Sequence, residues 1–249
     1  MRYFIHLAYD GTRYHGWQIQ PNAPTVQGTL QHALSTLIQQ DTPITGAGRT
    51  DTGVHASDYY AHFDTVGSHI ADTEDLTFRL NRFLPPDIVI RRIFPVPDSA
   101  HARFSALSRT YHYLISDRKP LFNRGYVHYH YGKTDLAAIR KCCEVVRNTT
   151  DFTSFSKLHS DNRTNICRII HCEWIECEDG FRFEISADRF LRDMVRAITG
   201  TLLDVGAGRM GHEEFVGVIE ARNRSAAGMS APAQALFLRE IRYPEGILP

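Results

Sequence analysis

Residues 1–10 alternate apolar and polar positions with a period of two, which predicts a strand. After Thr25 the period lengthens to 3.6. Val26, Leu30, Ala33, Leu34, Leu37 and Ile38 fall on one helical face, and the Thr25 hydroxyl is placed to cap the first turn. Two strand-like runs, 43–47 and 59–66, then bracket a loop rich in glycine and polar residues. A short helix follows with Thr73 as its cap, Leu76, Leu80 and Phe83 inside, and Arg79 and Arg82 on the other side. Pro85-Pro86 stops it, and a strand over 88–94 comes next.

Residues 95–105 hold two prolines and no apolar periodicity. They predict a boundary between an N-terminal domain, 1–104, and a C-terminal domain, 105–249. The second half has a strand over 108–116 and a helix from Thr134 with Leu136, Ile139, Cys143 and Val146 inside. Strands near 166–177 and 180–187, helices near 189–205 and 212–222, and a strand near 236–241 complete it. The order lacks the strict β-α-β alternation of a parallel sheet. The expected class is therefore α+β, two similar mixed halves with largely antiparallel sheets forming a central cleft.

At 249 residues and 43% hydrophobic content, the chain can build one large core or two smaller ones. No run approaches the roughly 18 apolar residues of a membrane span, and the start is too short and polar for a signal peptide. The expected compartment is the cytoplasm. Cysteines 142, 143, 167, 172 and 177 form no C-x-x-C pair and lack zinc-ribbon spacing, so reduced and mostly buried thiols are expected. A net charge of +0 argues against a generic polyanion binder. The kind of charge says more: Lys119, Lys133, Lys141 and Lys157 are the only lysines, so 24 of the 28 basic residues are arginine. Arginine suits bidentate phosphate contacts and base stacking, and a nucleic-acid partner would require a local basic cleft.

Three strings carry candidate chemistry. The first is Gly48-Arg49-Thr50-Asp51-Thr52-Gly53-Val54-His55-Ala56, between two strands. Thr-Asp-Thr-Gly is also ordinary turn chemistry, but a backbone punctuated by Gly48 and Gly53 can hold the Asp51 carboxylate at a sheet edge. In the second, Arg103-Phe104-Ser105-Ala106-Leu107-Ser108-Arg109-Thr110-Tyr111-His112-Tyr113-Leu114-Ile115, strand alternation puts Arg109, Tyr111 and Tyr113 on one face. That face can be simple cross-strand packing, or an aromatic surface for a base with a phenol able to move a proton. The third runs from Asp188 to Gly200 as a helix whose core stripe is Phe190, Leu191, Met194, Val195 and Ile198. Arg189, Arg192 and Arg196 form a second stripe. Asp193 can satisfy Arg189 or Arg196, or the arginines can take an external anion, either an RNA phosphate or Asp51.

All three strings resemble the TruA-type tRNA pseudouridine synthases. Tyr9-Asp10-Gly11-Thr12, Gly16-Trp17-Gln18, Thr25-Val26-Gln27-Gly28, Asp151-Phe152-Thr153-Ser154-Phe155 and Ala231-Pro232-Ala233 agree in the same order. Nearly the whole chain is covered, while 66–75 and 157–165 match nothing. The resemblance implies isomerisation of uridine to pseudouridine at positions 38, 39 and 40 of the tRNA anticodon arm, with no cofactor and no metal, by a homodimer. It makes Asp51 the catalytic aspartate, Tyr111 the active-site tyrosine and Arg196 the arginine that pairs with the acid. On that basis Arg49 is expected to fill the space left by a flipped base, and Arg109 and Arg192 to bind substrate.

Two other classes fit less well. Asp51, His55, Asp58, His62 and Asp64 could serve a metal-dependent hydrolase, but they form no recognisable ligand set such as H-E-x-x-H. A non-catalytic RNA-binding module would not need Asp at position 51. P-loop and G-x-S-x-G strings are absent from the sequence.

Overall fold

The structure is a computed structural model that describes residues 1–65, 67, 69–157 and 163–249. In chain order its elements are β1 (Arg2–Tyr9), α1 (Val26–Ile38), β2 (Thr45–Gly46), β3 (His55–Asp64), α2 (Thr73–Phe83), β4 (Ile88–Val96) and β5 (Ser108–Ser116). There follow β6 (His128–Tyr129), α3 (Leu136–Asn148), β7 (Ile169–Cys177), β8 (Gly180–Ala187), α4 (Met194–Gly206), α5 (His212–Glu220) and β9 (Leu236–Arg242). β1 pairs with β3 and β4, β2 with β3, and β8 with β5 and β7, all antiparallel, while β5 and β6 are parallel, so the chain is α+β with a mostly antiparallel sheet. Two compact units emerge, 1–108 with 238–249, and 109–237. Residues 238–249 thus belong with the first unit, where a single cut at 104/105 puts them in the second.

In the first unit β1 lies between β3 and β4, with Ile5 opposite both Ala61 and Ile93. Tyr3, Phe4, Ile5 and Leu7 are all fully buried, so both faces of β1 are covered. α2 packs on β4, and α1 packs on α2. Thr25 caps α1 by accepting the Gly28 amide, as the sequence predicts. The cap of α2 is Asp72 and not Thr73. Its carboxylate accepts the Glu74 and Asp75 amides at 2.9 Å each, and such a cap contributes about 1 kcal/mol. Phe83, expected inside, is 48% exposed. The chain turns extended at Leu84, which takes the buried place.

β3 begins at His55, four residues before the expected start, because Ala56 already pairs with Tyr9 of β1. Val66, at the expected end of this strand, lies outside the described residues. One carboxylate locks the C-terminal strand to this sheet. Asp58 Oδ1 lies 2.7 Å from His6 Nε2, while its Oδ2 accepts the Ile241 amide at 3.1 Å. The Tyr60 ring stacks on His6, 4.6 Å between centroids.

In the second unit β8 lies between β5 and β7, and α3 packs on β7 and against α4 and α5. α3 starts at Leu136, two residues after the expected Thr134, and Asp135 caps it through the Ala138 amide. α4 is almost wholly buried. Its Thr199 and Thr201 hydroxyls are satisfied within the helix by the Val195 and Ala197 carbonyls. Four of the five free cysteines are buried, and Cys177 is exposed. Among the described residues no helix is long and apolar enough to cross a membrane.

His62 ties the first unit to pH. It is buried, and its Nδ1 accepts the Ala102 amide at 3.2 Å, which requires a bare ring nitrogen. Burial, then the nearby Arg2 and His101, push its pKa from 6.5 down to about 4. The folded state therefore favours neutral His62. The corresponding stability is complete above pH 6.5 and is lost as pH falls towards 4, by up to about 3 kcal/mol. Urea unfolding at pH 7, 6, 5 and 4 should show this loss in the wild type and a shallower one in His62→Gln. Equal slopes would remove His62 from the cause.

Candidate active site

The Asp51 loop is built by a second loop, 10–17, laid against it. Backbone meets backbone there: the Trp17 amide donates to the Thr50 carbonyl and the Gly53 amide to the Tyr14 carbonyl, each at 3.3 Å. The Val54 amide closes a turn on the Asp51 carbonyl at 3.1 Å. A Cβ on Gly11 would run into the Val54 carbonyl oxygen, and one on Gly16, at φ 86, into that of Thr50. Glycine is required at both points because the two chains touch.

Aromatic residues hold the loop from the core. Tyr9, Trp17 and Tyr59 form one cluster, with 4.2 Å between the Trp17 and Tyr59 centroids. The Tyr59 hydroxyl donates to the Gly48 carbonyl at 2.5 Å and accepts its amide at 3.3 Å. The Tyr9 hydroxyl lies 2.9 Å from Thr50 Oγ1. Asp51 is thus the half-buried residue next to a backbone fixed at Gly48, Thr50, Gly53 and Val54, and Arg49 is exposed. Of the two glycines taken from sequence as punctuation, Gly53 does sit at φ 78. Gly48 does not have positive φ, and a Cβ there would meet nothing within 4 Å. Tyr9, Gly11, Gly16, Trp17 and Tyr59 carry the loop. The first four lie in the Tyr9-Asp10-Gly11-Thr12 and Gly16-Trp17-Gln18 strings, to which local periodicity assigns no role.

His55 is buried with its Nδ1 3.1 Å from the Gly11 amide and 3.0 Å from Asp10 Oδ1. The two contacts need opposite protonation of that nitrogen. The buried amide would be orphaned by a protonated Nδ1, so the amide contact governs. The other acid and histidine residues once grouped as metal ligands go separate ways, Asp58 to His6, His62 to Ala102, and Asp64 to Arg2 at 2.8 Å. Among the described residues no group of three or more His, Cys, Asp or Glu is disposed to hold a metal.

In the second unit, Arg109 and Tyr111 stand at the start of β5. Arg109 Nη1 donates to the Asp188 carbonyl at 2.9 Å. Tyr111 is buried and meets the Phe190 ring edge to face at 5.2 Å. Tyr113, on the same face, is not a stacking surface: it is fully buried, and its hydroxyl donates to the Pro232 carbonyl at 2.9 Å. Burial pushes its pKa well up.

The helix expected from about 189 begins at Met194. Asp188 binds the Arg168 and Arg189 amides through its side chain, and Asp193 takes a left-handed conformation at φ 66, which no continuing helix passes through. Arg189 and Arg192 therefore precede the helix, and the expected stripe of Arg189, Arg192 and Arg196 on one helical face does not form. Arg192 is exposed. Arg196 is anchored, with Nη1 3.0 Å from Asp193 Oδ1 and Nε donating to the Ala231 carbonyl at 2.8 Å. Asp193 in turn accepts the Ser230 hydroxyl through Oδ2, 3.9 Å from the Arg224 guanidinium. Arg224 also donates to Ser230 and to the Gly228 carbonyl.

A carboxylate on a braced loop of an α+β frame is a candidate site and does not name a reaction. The comparisons supply the name. The family model of tRNA pseudouridine synthases matches residues 5–105 and 149–244, which contain Asp51 and Arg196 but not Arg109 or Tyr111. A tRNA pseudouridine synthase A of Bacteroides thetaiotaomicron is 53% identical over 249 residues, covering 99% of this chain and 92% of that protein. Proteins of the same name from Porphyromonas gingivalis and Bacillus subtilis are 49% and 36% identical, with at least 98% of each chain covered. The chain belongs to the tRNA pseudouridine synthase family, of the TruA type, and is an isomerase.

The two kinds of glycine in this site give a paired prediction. Gly16→Ala must hold alanine at positive φ, at a cost of roughly 1–2 kcal/mol before any clash. It should lower Tm by about 4 °C or more. Gly48→Ala should change stability by no more than about 0.5 kcal/mol. Equal melting temperatures for the two variants would show that the close approach of the loops is not what holds Asp51.

Proposed function

We propose that the protein isomerises uridine to pseudouridine in the anticodon stem-loop of tRNA, at positions 38, 39 and 40, with Asp51 as its one catalytic carboxylate and no cofactor. Membership of the family supports the tRNA substrate, and the observation that supports Asp51 is the fixation of its loop by residues 10–17 and two tyrosine hydroxyls. The reaction breaks the C1′–N1 bond, turns the uracil and joins C1′ to C5. The C5 hydrogen leaves and N1 gains a proton, so product and substrate are isomers. The base must first leave its stack, at a cost of a few kcal/mol that is smaller in a loop than in a duplex. A single carboxylate suffices because the leaving group is held in the pocket and becomes the incoming group.

Two routes are open to Asp51. It can attack C1′ and carry the sugar as an ester, as glycosidases do, or it can remove a proton from the sugar. Tyr111 takes the role of stacking the base and moving a proton, and Arg196 that of orienting the carboxylate. Arg49 fills the space left by the base, and Arg109 and Arg192 bind the RNA. The working form is a cytoplasmic homodimer whose partner is tRNA.

Tritium release from tRNA carrying [5-³H]uridine, with EDTA present and nothing added, tests the reaction directly, because C5 loses its hydrogen only on becoming the glycosidic carbon. Release should occur with the wild type and fall to background in Asp51→Asn, with tRNA affinity and Tm unchanged. Undiminished release would exclude Asp51 from the chemistry. Loss of binding together with a lower Tm would make its role structural.

A further inference from the structure

Beyond the end of β5, the second unit carries a surface for which the chemistry at Asp51 has no use. Residues 117–133 hold four basic side chains and one acidic one, in a chain whose total charge is +0. Phe122 is 95% exposed and Tyr131 85%, and Arg118, Lys119, Arg124 and Lys133 are exposed with them. Aromatic rings left so far in water, gathered in one short segment, mark a place for a partner. The segment has fixed structure. β6 pairs with the end of β5, the His130 amide donates to the Ser116 carbonyl at 2.9 Å, and the Tyr126 amide to that of Asn123 at 2.8 Å. The Tyr131 ring lies edge-on to Tyr129 at 6.4 Å. Arg118 is 3.9 Å from Asp179, but both side chains are about three-quarters exposed and the pairing is weak.

We propose that residues 118–133 form an RNA-binding surface, in which the arginines and lysines take phosphates and Phe122 and Tyr131 stack on unpaired bases. Charge selects this partner over a second copy of the chain. Facing itself across a twofold axis, the segment would set its positive charges against an equal set, and lysine is depleted from the cores of protein interfaces. A phosphate backbone with exposed bases complements both features. From Tyr111 to Ser116 β5 spans about 17 Å, so the surface meets the RNA away from the reacting base. The proposal rests on tRNA being the substrate.

Two variants test it, neither of which touches the Asp51 loop, Tyr111 or Arg196. Phe122→Ala/Tyr131→Ala should raise KM for tRNA about tenfold in the tritium assay and leave kcat unchanged. Lys119→Ala/Arg124→Ala should make the slope of log Kd against log salt shallower by about 1.5 in filter binding of unmodified tRNA. The molar mass by light scattering should not change in either variant. Unchanged KM and slope would overturn the proposal, and a fall in mass would assign the surface to a second copy instead. If the wild type releases no tritium the proposed function fails, and the salt slope for tRNA binding then decides the surface by itself.

Discussion

The Asp51 loop depends on a contact that no side chain makes: two stretches of backbone, 10–17 and 50–54, pressed together where a single Cβ would not fit. Each hydrogen bond across this contact contributes only about 1 kcal/mol net. Their number matters more than their strength. The Thr50 carbonyl, the Gly53 amide and the His55 ring are all held by the opposing loop, so the chain on both sides of Asp51 has little freedom. The role proposed for Asp51 gains from this, since misplacement of a reacting group by about 1 Å can cost a hundredfold in rate. The aromatic cluster of Tyr9, Trp17 and Tyr59 extends the restraint into the core, because the rings that fill space also supply the hydroxyls that hold Gly48 and Thr50.

Much of this was legible in the sequence, and what was missed lies where a periodic pattern meets a turn or a distant segment of chain. β5 begins and ends at the expected residues, and the Thr25 cap and the face of α1 follow directly from spacing. These are local properties, set by residues within a few positions of each other. Gly48 and Gly16 look alike in a sequence, yet only Gly16 has a neighbouring chain on top of it. Phe83 continues the 3.6 period of α2, but the turn at Leu84 withdraws it from the core. Tyr113 shares a strand face with Tyr111, and the carbonyl of Pro232, 119 residues away in sequence, converts it into a core residue. The misses at Gly16 and Tyr113 turned on a tertiary contact and the one at Phe83 on a backbone turn, each overriding a correct local pattern.

The start of α4 shows the same conflict with a chemical purpose. Apolar periodicity continues without a break from Phe190 to Ile198, and by pattern alone the helix should include Arg192. Two aspartates stop it. Asp188 binds backbone amides at the end of β8, and Asp193 adopts a left-handed conformation, which Asp tolerates better than most residues. Periodicity records which residues are apolar and says nothing of a backbone reversal at one polar position.

Asp193 occupies the N-cap of α4 without capping it. No helix amide is bonded to its side chain, although an aspartate there would ordinarily contribute about 1 kcal/mol by doing so. The left-handed backbone adds a cost of order 1 kcal/mol. Both are accepted for one result: the carboxylate faces Arg196, Ser230 and Arg224, and not the end of its own helix. Arg196 is then held from two sides, by Asp193 through Nη1 and by the Ala231 carbonyl through Nε, while the Ala231 amide bonds back to the Arg196 carbonyl. A structure selected for stability alone would cap the helix and leave the arginine to solvent. The strained backbone of Asp193 thus accompanies a positioned guanidinium. Arg196 is thereby fixed at both Nη1 and Nε.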